Sequence, residues 1–70
     1  MQISTRIDIY DHQNAHLGTL QIVVPLDVYE VGEQHPSIRS SVSAWATRNH
    51  HTIPYLAGRL TWQIADATEV

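Results

Sequence analysis

The 70-residue chain predicts a small α+β domain of two layers, a three-stranded, mainly antiparallel sheet with one helix packed on one face in the order ββαβ. Three observations lead there. Stretches near residues 2–10, 17–25 and 58–65 alternate apolar and polar side chains, the period of a half-buried strand. Residues 36–49 alone place apolar groups at helical spacing. The chain is short enough for a single domain, residues 1–70, and a domain of this size buries only about 60% of the surface of its unfolded chain.

Each element follows from its residues. In 2–10, Ile3, Thr5, Ile7 and Ile9 fall on one side and Ser4, Arg6, Asp8 and Tyr10 on the other. Residues 11–16 (DHQNAH) are polar and carry Asp and Asn, which suit a hairpin loop. In 17–25, Leu20, Ile22 and Val24 recur at period two, and Pro25 ends the ladder. Residues 26–35 read as a connection, with Leu26, Val28 and Tyr29 continuing an edge or covering the open end of the core and Gly32 supplying a turn. Pro36 suits a first helical turn, and Ser37 is the expected N-cap. Asn49, His50 and His51 suit the helix end. Leu60, Trp62 and Ile64 define the third strand; Pro54 and Gly58 interrupt the earlier half of 52–65, so the regular strand starts near Gly58 after an approach segment at 53–57, and residues 66–70 are expected to fray.

Within the helix, Ile38, Val42, Trp45 and Ala46 share the core side. Trp45→Ala is therefore expected to cost about 3–5 kcal/mol. The opposite side is unusual. It carries Ser40, Ser43 and Thr47, with Ala44 beside them, where a solvated helix normally carries Glu, Lys, Gln or Arg. Short hydroxyl residues compete for backbone groups and form helix poorly, so their concentration gives up local stability. A smooth strip of this kind suits the close approach of a partner's backbone, with Arg39 and Arg48 on its flanks for carboxylates. The alternative is that these hydroxyls simply sit in water. A second candidate contact is the acidic group Asp27, Glu30 and Glu33, which suits a basic patch on a protein partner.

Composition narrows the function classes. Four basic residues, all arginine and scattered, stand against seven acidic ones for a formal net charge of -3, which argues against direct binding to nucleic acid. Zero cysteines remove disulfides and thiolate metal sites and fit a reducing, cytoplasmic setting. No stretch approaches the roughly 20 apolar residues that cross a bilayer, and the first ten residues lack the apolar run of a signal peptide. His12 and His16 form an H-x3-H pair, but zinc needs three or four oriented ligands and only Asp11 lies near as a third, so exposed loop histidines are expected and no metal or cofactor. No P-loop, G-x-S-x-G or G-x-G-x-x-G pattern occurs, and one helix on three strands scarcely encloses a pocket, so no enzyme is expected. Tyr10, Tyr29 and Tyr55 suit core edge as well as interface, and the structural role is expected of each.

In architecture and charge alone, with no residue motif, such a unit resembles the small stand-alone inhibitors that phages and other mobile elements use against host enzymes. That resemblance implies a non-catalytic protein-binding module that occludes a partner's surface. Two alternatives stand beside it: a homo-oligomeric accessory protein, in which the hydroxyl strip or a sheet edge pairs with its own copy, and a small oligomeric enzyme with a histidine site between subunits.

Overall fold

The structure is a computed structural model that describes residues 1–49 and 60–70. Its elements are β1 (Gln2–Tyr10), β2 (His16–Pro25), α1 (Leu26–Val31), α2 (Pro36–Arg48) and β3 (Thr61–Glu69). The sheet order is β2-β1-β3 with both pairings antiparallel, so the N-terminal strand lies in the middle. This is the expected α+β sheet and helix, with a short additional helix. The approach segment at 53–57, the start of the third strand near Gly58, and His50, His51 and Tyr55 lie outside the described residues.

The hairpin between β1 and β2 is held by Asp11. Its Oδ1 accepts from the amides of Gln13 at 2.8 Å and Ala15 at 2.9 Å. The Asp11 amide donates to the Ala15 carbonyl at 3.0 Å, and Asn14 takes the left-handed conformation at φ 64°, which Asn tolerates. Beyond the loop, Ile3 faces Val24, Thr5 faces Ile22, Ile7 faces Leu20 and Ile9 faces Gly18. The alternation in the sequence therefore becomes one apolar face, on which Ile3, Ile7, Ile9 and Val24 are buried.

Within the connection, residues 26–31 form a short helix that covers the core end and does not continue the edge strand. Pro25 serves as the N-cap of α1, and this single short helix buries Val28 over the sheet end while Tyr29 packs against the core. Gly32, at φ 94°, then turns the chain in a conformation that L side chains rarely adopt, and its amide donates to the Val28 carbonyl at 3.2 Å. The N-cap of α2 is His35, not Ser37: the His35 Nδ1 accepts from the Ser37 amide at 3.0 Å. An imidazole nitrogen here does what a Ser or Asp oxygen usually does, satisfying one of the orphan donors of the first turn. At the other end Asn49 is the C-cap, and its Nδ2 donates to the Trp45 carbonyl at 2.8 Å.

The core side of α2 is Ile38, Val42 and Ala46, each at most 2% exposed. Trp45 is half-buried rather than enclosed, and it packs at the rim of this cluster. There it lies against Gly18: a Cβ at that position would lie 2.6 Å from Trp45 Cζ2, so the indole occupies the space a larger residue on β2 would need.

The frayed tail expected at 66–70 is instead the second half of β3. Ala67 faces Thr5, Glu69 faces Ile3, and the Val70 amide donates to the Gln2 carbonyl at 3.0 Å. A bulge lies where Arg6 faces Asp66 and Ile7 faces Ile64, leaving Ala65 as the extra residue. Thr5 explains what the bulge achieves. This fully buried hydroxyl donates to the Asp66 carbonyl at 2.7 Å, so the polar group in the middle of the core is satisfied.

Two measurements check this packing. Gly18→Ala should lower stability by about 1–3 kcal/mol through overpacking, and urea unfolding should show that penalty shrink in a Trp45→Ala background because the two residues share one space. With Trp45 only half-buried, its own truncation should fall below the about 3–5 kcal/mol of a fully buried aromatic. Deleting residues 66–70 should destabilise the domain by more than the about 1–3 kcal/mol of an orphaned Thr5 hydroxyl alone, because a strand pairing is lost with it.

Candidate functional site

The outer side of α2 is where the sequence places it. Arg39, Ser40, Ser43, Ala44, Thr47 and Arg48 are all exposed, with the arginines on opposite flanks at about 100° per residue. Pro36 and Ser37 extend the strip towards the N-terminus. One strip hydroxyl is turned onto the helix: Thr47 Oγ1 donates to the Ser43 carbonyl at 3.0 Å. Half-buried Ser41, on the flank nearer the core, donates likewise to the Ser37 carbonyl at 3.0 Å. No carboxylate occurs anywhere on α2, so its exposed side carries arginine charge alone.

The acidic candidates divide. Asp27 and Glu30 are exposed on α1, three residues apart and therefore on one side of it. Glu33 is half-buried in the turn before α2, and its carbonyl accepts from Trp62 Nε1 at 2.8 Å, which ties that turn to β3. Its backbone is thus structural, whatever its carboxylate meets.

Two further groupings come together only in the fold. On the outer sheet face Asp8 Oδ1 lies 3.6 Å from Arg6 Nε and 3.8 Å from His16 Nε2, and the His16 ring meets Tyr10 edge-on at 5.4 Å. These are half-exposed or exposed groups with ordinary surface pairing, worth little individually. A groove of about 590 Å³ is lined by Tyr10, Asn14, Glu33, Thr61, Trp62 and Gln63. Its residues come from separate segments, so no local spacing announces it. Among the described residues it holds a single carboxylate and no nucleophile paired with a base. Among the described residues no three His, Cys, Asp or Glu side chains group as metal ligands, and no helix is long and apolar enough to cross a membrane. His12 is exposed in the hairpin loop, and His16 belongs to β2 instead of that loop.

No protein-family model, curated protein or solved structure matches the chain.

Among the described residues the electrostatics single out one group. The Ala15 amide, donating to the Asp11 carboxylate, holds that carboxyl below its ordinary value. A depressed carboxylate contributes stability that is present above its unfolded-state value and lost as pH falls through the folded one. Acid titration followed by circular dichroism should therefore show part of the loss of stability below about pH 4 vanish in Asp11→Ala, and persist if the loop geometry is wrong.

Proposed function

We propose that this chain is a non-catalytic protein-binding module, of inhibitor type, that covers a partner's surface with the outer strip of α2. The observation that carries this reading is the strip itself: Ser40, Ser43, Ala44 and Thr47 exposed side by side and bounded by Arg39 and Arg48. Small side chains let another backbone come close, so dispersion contacts form over a continuous area without long side chains having to be ordered. The two guanidinium groups then select carboxylates on the partner and orient them bidentately. The absence of any carboxylate on α2 supports a foreign partner at this strip, since a second copy of the helix offers the arginines nothing of opposite charge. The acidic pair Asp27 and Glu30 lies on a separate helix and adds a second, weaker contact to basic groups.

Ser43→Arg tests the reading. Position 43 is exposed and arginine is a better helix former than serine, so the fold should be retained. A partner captured by the wild-type chain should bind the variant at least about tenfold more weakly, or about 1.4 kcal/mol. Undiminished capture by a folded Ser43→Arg variant would remove the strip from the interface.

A further inference from the structure

We propose that the chain forms a twofold dimer by antiparallel pairing of β2 with β2 of a second copy, giving one continuous six-stranded sheet. The argument begins with which backbone groups β2 leaves unpaired. The Leu26 amide donates to the Met1 carbonyl at 3.0 Å, which continues the β1–β2 register and fixes its phase. Hydrogen-bonded pairs alternate along an antiparallel ladder, so Val24, Ile22, Leu20 and Gly18 turn their amides and carbonyls to β1. Thr19, Gln21 and Val23 therefore direct theirs to the open edge. All three are exposed, and Val23 is 56% exposed although apolar.

The two edges of the sheet are not equivalent. β3 carries Asp66 and Glu69 and is interrupted by the bulge at Ala65, features that discourage another strand from pairing. β2 has none of these over residues 17–24: no charge, no proline and no irregularity after Leu17. Leu20 and Ile22 on its inner side also stay half-buried. A strand that is neutral, regular and wet on apolar side chains is the edge that accepts a partner.

The occupant is a second copy because β2 is complementary to itself. With the twofold axis at Gln21, Thr19 meets the partner's Val23, Gln21 meets the partner's Gln21, and Val23 meets the partner's Thr19. These are the three residues whose backbone groups are open, and each pair exchanges two hydrogen bonds. Between them, Leu20 falls beside the partner's Ile22 and Ile22 beside the partner's Leu20, on the side that faces the helices, with Cβ atoms about 4.5–5.5 Å apart. No charged side chain enters the contact, so two chains of net charge -3 meet where repulsion is least. The strip on α2 faces away from the sheet and takes no part in this contact.

Light scattering on the full chain at micromolar concentration tests this. The expected mass is twice the 7.9 kDa of one chain. Gln21→Lys sets two ammonium groups at the axis and should halve the mass with the circular dichroism spectrum retained. Gln21→Pro removes an edge amide that no bond within one chain uses and should act likewise; if it fails to fold, Gln21→Lys decides. Gln63→Lys, exposed on β3, should leave the dimer intact. A monomeric wild type, a dimer that survives Gln21→Lys, or one dissociated by Gln63→Lys or Ser43→Arg would each overturn the proposal. Loss of partner capture in Ser43→Arg while the dimer persists separates this interface from the one on α2.

Discussion

Strand β1 is hydrogen-bonded along both flanks, its odd residues to β2 and its even residues to β3, and the rest of the domain is arranged to keep it so. Its inner side chains, Ile3, Thr5, Ile7 and Ile9, are all buried. A central strand of this kind must be covered on its apolar side, and the chain has little with which to cover it. The long helix supplies Ile38, Val42 and Ala46, the short one adds Val28, and Leu60 closes the end before β3. Among the described residues no disulfide or metal cluster shares that task. The fold therefore rests on the fit of a few apolar side chains from α2, α1 and Leu60 to one face of the sheet.

This constraint also shapes the surface. Because α2 spends its apolar stripe on the sheet, its opposite side is free to vary, and here it is small and hydroxyl-rich instead of long and charged. The cost in helix propensity is partly offset by the His35 and Asn49 caps, which satisfy backbone groups at the two helix ends. The sheet shows the same economy at its margins. One edge is protected by charge and a bulge, the other by neither, and the contrast lies within a single three-stranded sheet.

Much of this was legible in the residues, and the parts that were not have identifiable causes. β1 alternates throughout and β2 alternates from Gly18 to Val24, so period two located them to within a residue. The strip on α2 followed from helical geometry, because Ile38 and Val42 fixed the inward direction. The end of β3 was hidden by Ala65: one extra residue shifts the alternation, and Asp66, Thr68 and Glu69 then look like a polar tail. Helix α1 spans six residues, too few to show a period of 3.6, and Pro25 read as the close of a strand serves equally as an N-cap. A large aromatic on the apolar side of a helix is usually enclosed, whereas Trp45 lies half-buried against Gly18, a close approach that no helical spacing shows. The groove beside Trp62 joins residues from separate segments and has no linear signature.

Amide hydrogen exchange by NMR reads the central strand directly, since only a strand paired on both sides protects consecutive amides. Slow exchange at every amide from Ile3 to Ile9, together with the amides of Leu26 and Val70 that close the two ladders, is the predicted result. Alternating fast and slow amides along β1 would make it an edge strand and contradict the arrangement on which the helix, its outer strip and the open edge all depend.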